Sequence, residues 1–80
     1  MEKAEIERRV QQVIARVLKM PEEEIASDAN FIFDLGADSM QSIELVAAFE
    51  EEFEVDLDED KALEVQNVAD AVDFIAGYLD

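Results

Sequence analysis

The chain has 80 residues, which is near the lower limit for a domain with one hydrophobic core, so we expect a single domain. It contains no cysteine and no histidine, which excludes disulfides, thiolate nucleophiles and the commonest general base. The 22 acidic residues against 6 basic ones give a formal net charge of -16, which argues against a nucleic-acid partner.

The charge is unevenly distributed along the chain. Five of the six basic residues lie in the first nineteen positions, whereas the chain from Met20 onward carries 19 acids and one base, Lys61. Such a field steers basic protein surfaces toward it. The longest apolar run, residues 45–49, is too short to cross a membrane, and the charged N-terminal residues do not predict a signal peptide. We therefore expect a cytoplasmic protein that does not insert into membranes.

The first predicted element is a helix from about Lys3 to Lys19, ended by Pro21. Apolar residues recur there at steps of three and four, as on one buried helical face: Ile6, Val10, Val13, Ile14, Val17 and Leu18. A long connection follows. Its apolar residues Phe31, Ile32 and Leu35 predict that it packs over the core.

The second predicted helix begins at Asp38 or Ser39 and ends near Phe53. Asp38 as N-cap and Gln41 three residues later form a capping box. One face of this helix is expected to be apolar and to contain Met40, Ile43, Val46, Phe49 and Phe53. Leu45 and Ala48 widen this face.

Two further helices complete the expected fold. A short one covers Glu59 to Glu64, and another begins at Val68 with Asn67 as its cap. The apolar stripe of the last helix contains Val68, Ala71, Val72, Ile75 and Leu79. The fold class is therefore all-α, a small four-helix bundle with a long first loop and a short third helix.

Ser39 is the residue whose chemistry stands out. A serine in the first turn of a helix lies beside backbone N–H groups that favour a phosphate ester. The alternative is that Asp38 and Ser39 only cap the helix. Hydrolytic catalysis by Ser39 has little support, because the chain has no histidine to activate the hydroxyl.

The segment Phe31-Ile32-Phe33-Asp34-Leu35-Gly36-Ala37-Asp38-Ser39-Met40, with residues 43–46 and 49–53, resembles the signature of the acyl carrier protein family. The resemblance implies one non-catalytic, monomeric carrier domain over residues 1–80. It further implies that Ser39 receives 4'-phosphopantetheine from coenzyme A through a holo-acyl-carrier-protein synthase, which is a phosphopantetheinyl transferase. The arm would hold acyl groups as thioesters in fatty-acid, related lipid or polyketide biosynthesis.

The resemblance also implies a recognition face along the second helix for synthases, reductases and transferases with basic docking patches. Its predicted residues are Asp38, Met40, Glu44, Glu50 and Glu51. The alternative for the acids is an ordinary solvated helix face.

By the same resemblance, an acyl chain would enter between the second and third helices. The predicted pocket residues are Phe31, Ile43, Val46, Phe49, Leu57, Ala62 and Val65. Ordinary core packing uses the same residue types, so the sequence leaves both interpretations open.

Some positions depart from carriers of general fatty-acid synthesis, which tend to have acids where this chain has Phe33, Gln41, Lys61 and Leu63. Met40 replaces the usual leucine after the serine. These departures suggest a specialised carrier, with neutral drift as the alternative. Peptidyl and aminoacyl carriers share the fold and the serine, and the acidity favours the acyl class.

The sequence also bears on two other functional classes. Asp56-x-Asp58-x-Asp60 opens like an EF-hand loop, but Lys61 replaces the required glycine and Asn67 the required glutamate, so no metal site is expected. An acidic adaptor bundle without a prosthetic group is the other class, and an intact-mass measurement separates it from a carrier.

Overall fold

A computed structural model of the chain describes residues 1–79 and contains four α-helices. They are α1 (Lys3–Leu18), α2 (Ser39–Phe53), α3 (Glu59–Leu63) and α4 (Val68–Leu79), with a 3-10 turn at Glu22–Glu24 in the first loop. Over the described range the only β-type pairing is an isolated bridge between Asn30 and Asn67. The predicted all-α bundle, with its long first loop and short third helix, is confirmed.

Three long helices build the hydrophobic core. The stripe of α1 packs against both α2 and α4, as the three- and four-residue spacing of its apolar residues requires. Each of these helices contributes four buried residues: Ile6, Val10, Val13 and Ile14; Leu45, Val46, Phe49 and Phe53; Val68, Ala71, Val72 and Ile75. Helix α3 has no fully buried residue, so it forms a side wall of the bundle.

Polar contacts fix α1 to its two neighbours. The guanidinium of Arg9 donates to the Glu52 carboxylate at 2.7 Å and to the Glu52 backbone carbonyl at 2.8 Å. It also lies 4.9 Å from the centre of the Phe53 ring. On the other side, the exposed pair of Lys3 and Asp73 is 2.6 Å apart, and the hydrogen bond to Asp73 raises the pKa of Lys3. The half-buried contact between Arg9 and Glu52 therefore stabilises the fold more than the exposed pair of Lys3 and Asp73.

Two helices end in left-handed backbone at residues other than glycine. Lys19 after α1 has a φ of 56°, and Glu54 after α2 has a φ of 54°. The N–H of Glu54 donates to the carbonyl of Glu50, which satisfies one of the last acceptors of α2. A side chain at such a φ carries a steric cost that glycine avoids.

The segment from Asn30 to Ala37 is a compact turn held by its own polar groups. The Asn30 side-chain oxygen accepts from the N–H groups of Ile32 and Phe33 at 2.9 and 3.0 Å. The Asp34 carboxylate accepts from the Asn30 N–H at 2.7 Å. The N–H of Phe31 donates to the carbonyl of Gln66, which ties the turn to the link between α3 and α4.

The prediction that the loop's apolar residues cover the core is partly wrong. Phe31 is buried and Leu35 half-buried, as expected, whereas the Ile32 side chain is 60% exposed. The turn hydrogen bonds through Asn30 explain this, because they fix Ile32 and Phe33 at the outer tip.

The predicted apolar face of α2 is wrong for Met40 and Ile43. Met40 is 71% exposed and Ile43 50% exposed, while every buried residue of the helix lies from Leu45 onward. The three-residue steps from Met40 to Phe49 drift around the helix, because one turn takes 3.6 residues, so Met40 lies about 180° from Phe49 and faces away from the core. No helix of the described residues is long and apolar enough to span a bilayer.

Candidate functional site

The junction between the first loop and α2 is fixed by the predicted capping box. The Asp38 carboxylate accepts from the Gln41 N–H at 2.7 Å, and the Gln41 side-chain oxygen accepts from the Asp38 N–H at 3.1 Å. Ala37 is buried and anchors the chain just before the cap. The start of α2 is therefore a rigid position on the surface of the protein.

Ser39 is the first residue of α2 and is exposed. The capping interactions use Asp38 and Gln41 and leave the Ser39 hydroxyl out. The other two serines donate their hydroxyl protons within the chain, Ser27 to the Glu7 carboxylate at 2.8 Å and Ser42 to the Asp38 carbonyl at 3.0 Å. Ser39 therefore presents a hydroxyl to solvent from a fixed backbone.

The surroundings of Ser39 suit a phosphate ester. The first N–H groups of a helix, here those of Ser39 and Met40, have no acceptor within the helix and lie at the positive end of its dipole. Gly36, three residues earlier, has a φ of +74°, and an added Cβ there would meet nothing within 4 Å. The surface beside Gly36 is therefore open.

The predicted recognition residues differ in their surroundings. Asp38, Met40, Glu44 and Glu51 are exposed. Glu50 is half-buried, and its carboxylate accepts from the Leu57 N–H at 2.9 Å. Glu50 therefore fixes the connection between α2 and α3, a role that the sequence did not indicate.

A cavity of about 370 Å³ lies between the first loop, α2, α3 and α4. This volume is at the low end of the roughly 300–1,000 Å³ that small-molecule pockets occupy. Six of the seven predicted pocket residues line it: Phe31, Val46, Phe49, Leu57, Ala62 and Val65. Ile43 does not line the cavity, and its side chain is 50% exposed.

Sequence reasoning missed the contribution of α4 to the cavity lining. Phe74 lines the cavity together with Ala71 and Ile75. Its ring also packs edge-on against Tyr78, with 5.2 Å between ring centroids. The sequence feature that could have indicated this lining is a second apolar row on α4, beside the stripe that faces α1. This row contains Ala71, Phe74 and Tyr78.

Hydrogen bonds hold the segment in front of α3. The N–H of Asp58 donates to the Tyr78 hydroxyl at 3.0 Å, and the Asp58 carboxylate accepts from the Lys61 N–H at 3.1 Å. Asp58 is thus the N-cap of α3, which explains an acid at this position without a metal ion. Among residues 1–79, no group of three or more acids is placed to hold a metal.

Comparison with known protein families identifies the family of this chain. The family model described as PP-binding, phosphopantetheine attachment site, matches residues 8–75. The chain belongs to this family. The match covers most of α1, the first loop, α2, α3 and most of α4. The predicted family and its group, 4'-phosphopantetheine, are confirmed, and this phosphopantetheine carrier requires a phosphopantetheinyl transferase and acyl-processing partners.

Proposed function

We propose that this phosphopantetheine carrier is a non-catalytic acyl carrier protein whose attachment residue is Ser39. It carries acyl intermediates as thioesters in the cytoplasm. It presents them to the synthases, reductases and transferases of fatty-acid, related lipid or polyketide biosynthesis. Residues 1–80 act as a single carrier domain, without a second copy.

The observation that carries this proposal is the exposed Ser39 hydroxyl at the rigid start of α2. Ser27 and Ser42 both donate hydrogen bonds within the chain, and Ser42 is half-buried. Ser39 combines exposure, nearby helix N–H groups and open space beside Gly36. These features support Ser39 over the other two hydroxyls.

The chain supplies only part of the chemistry of attachment. The Ser39 oxygen forms a bond to the phosphorus of coenzyme A that carries the pantetheine, and the pyrophosphate bond breaks to release 3',5'-ADP. The base that removes the hydroxyl proton is assigned to the transferase, because the chain has no histidine and the adjacent Asp38 carboxylate already accepts from the Gln41 N–H. Once attached, the arm supplies a terminal thiol that holds the acyl group.

Two surfaces then serve the loaded carrier. The cavity receives the distal part of an acyl chain, an assignment supported by its apolar lining from Val46, Phe49 and Phe74. The exposed acids Asp38, Glu44 and Glu51, with Met40 between them, form the recognition face for basic patches on partner enzymes. Glu50 contributes charge to this face while it holds the Leu57 N–H.

Intact-mass measurement after incubation with coenzyme A and a phosphopantetheinyl transferase tests the attachment site. The parent gains one arm and Ser39→Ala gains none, because that change removes the oxygen that bonds to phosphorus. Ser42→Ala and Ser27→Ala are matched controls and gain the arm like the parent. Ser39→Ala removes no buried atom, so its free energy of unfolding stays within about 0.5 kcal/mol of the parent.

Two results would contradict the proposal. Loading of Ser39→Ala would move the attachment point to another residue. A parent that never gains the arm, under conditions that load an established carrier, would favour the acidic adaptor.

A further inference from the structure

Three large apolar side chains surround the mouth of the cavity and are exposed. Phe33 is 88%, Ile32 60% and Leu63 43% exposed. All three line the same cavity, so they form one surface across two elements, the first loop and α3. We call Ile32, Phe33 and Leu63 the mouth patch.

Two residues of the mouth patch, Ile32 and Phe33, are displayed on backbone that is fixed by hydrogen bonds. The Asn30 side chain accepts from the N–H groups of both Ile32 and Phe33, and Asp34 in turn holds the Asn30 N–H. A single exposed apolar residue needs no explanation, but a contiguous group around an opening is typical of a binding surface. Phe33 contributes almost nothing to the core, so folding does not account for its presence at this position.

Charge restricts what can cover the mouth patch. Asp34 and Glu64 are exposed beside its members, and Lys61 is the only base from Met20 onward. A second copy of this chain would bring two strongly negative surfaces together, and an anionic membrane would repel the same surface. A partner surface with basic residues around an apolar recess fits both the charge and the exposed side chains.

The mouth patch also lies next to the proposed attachment point. Ser42 lines the same cavity and is three residues after Ser39, one turn along α2. An enzyme that reaches a group on Ser39 therefore comes close to the mouth of the cavity.

We propose that the mouth patch, Ile32, Phe33 and Leu63, docks into an apolar recess with a basic rim on an acyl-processing enzyme that acts on the loaded carrier. Phe33 is the central anchor because it is the largest and most exposed of the three. This inference rests on the proposed function, since it assumes a partner that comes for the arm. The proposed docking adds an apolar contact, made by the first loop and α3, to the acidic recognition face on α2.

Binding measurements with purified variants test this proposal. The probes are a condensing enzyme and an acyltransferase from the source of the chain, titrated with the arm-loaded protein by calorimetry. Phe33→Ala is expected to raise the Kd of at least one probe about tenfold or more. Phe33→Leu, the matched apolar control, stays within about threefold, because it keeps most of the buried apolar surface.

The salt dependence of Kd distinguishes the contribution of the mouth patch from that of the acidic recognition face. Phe33→Ala leaves the dependence of Kd on salt unchanged, because no charge is lost. Glu51→Lys weakens that dependence, because it removes a charge that salt screens. Arm loading by intact mass and thermal unfolding are measured on every variant, so failure to load, which concerns the proposed function, is distinguished from failure to dock.

Three results would overturn the proposal. One is an unchanged Kd for Phe33→Ala and Phe33→Glu with both probes. Another is a parent dimer in sedimentation that Phe33→Glu dissolves, which assigns the mouth patch to a second copy. The third is binding of the parent to zwitterionic lipid vesicles that Phe33→Glu abolishes, which assigns it to a membrane surface.

Discussion

Glu54 stores backbone strain at the end of α2. Its φ of 54° is left-handed, a conformation that costs side-chain-bearing residues about 1–2 kcal/mol and costs glycine far less. Its side chain is exposed, so no burial offsets that cost.

Replacing Glu54 with glycine is therefore expected to stabilise the protein. Glu54→Gly raises the free energy of unfolding by about 0.5–1 kcal/mol, since the removed strain exceeds the added entropy of the unfolded chain. Urea denaturation followed by circular dichroism measures the change.

Glu44→Gly is the matched control because it removes the same charge from an exposed position inside α2. It lowers stability by about 1 kcal/mol, the helix-interior cost of glycine. If both variants were stabilised equally, the gain would come from the lost negative charge and not from the backbone.

At the level of single residues, some features could be predicted from the sequence and others could not. The capping box of Asp38 and Gln41 was predictable because it depends on residues three apart. The hydrogen bond from the Leu57 N–H to Glu50 was not, because nothing local distinguishes a carboxylate in water from one that reaches another element. Met40 and Ile43 were misplaced because a row of three-residue steps drifts around a helix of 3.6 residues per turn, which leaves both side chains exposed.

At the scale of elements, Arg9 joins α1 to the end of α2. It makes two hydrogen bonds to Glu52 and stacks on Phe53, and the charged pair is only about a quarter exposed, at 26% and 27%. Arg9→Ala is expected to lower the free energy of unfolding by about 1–2 kcal/mol. Thermal and urea unfolding measure this loss.

Arg8→Ala provides the control for Arg9. Arg8 is exposed and adjacent, so its loss changes the net charge identically and is expected to cost at most about 0.5 kcal/mol. Similar losses from the two variants would mean that charge balance, and not the contact with Glu52, sets the effect.

Helix α2 also carries the proposed recognition acids. Charge reversal of Glu44 and Glu51 together is expected to slow association with a basic partner enzyme about tenfold at low salt, with convergence toward the parent rate as salt rises. Stopped-flow fluorescence measures the association rate. Glu50 is left unchanged, because its reversal would also break the bond to the Leu57 N–H.

The double reversal of Glu2 and Glu5, exposed at the start of α1, changes the net charge by the same amount. We expect a smaller effect on the association rate from this pair. Equal slowing by both pairs would show a general field effect and contradict a recognition face on α2.

At the scale of the whole molecule, the net charge of -16 opposes the compact state. Salt is expected to raise the Tm by about 5 °C between low and physiological ionic strength, which for this size corresponds to roughly 1 kcal/mol. Scanning calorimetry at neutral pH gives the midpoint. Magnesium chloride at matched ionic strength separates cation binding from screening, and a Tm insensitive to both salts would show that the acids are too dispersed to repel.

The architecture as a whole was more predictable than the site. The four helices follow from apolar periodicity and capping residues, which are local in sequence. The cavity depends on how α3 and α4 sit against α2, so Phe74 as a lining residue required the packed structure. The exposed position of Ser39 agreed with the sequence because it depends on the cap alone.

Helix α3 is attached to the rest of the molecule less firmly than the other three helices, because it is short and has no fully buried residue. The segment before it is anchored by the buried Leu57 and by hydrogen bonds from the Leu57 N–H to Glu50 and from the Asp58 N–H to Tyr78, whereas α3 itself buries no residue fully. Outward displacement of this wall enlarges the interior without separating α1 from α2 or α4. We therefore expect α3 to open at a lower free energy than global unfolding requires, which native-state amide hydrogen exchange measures.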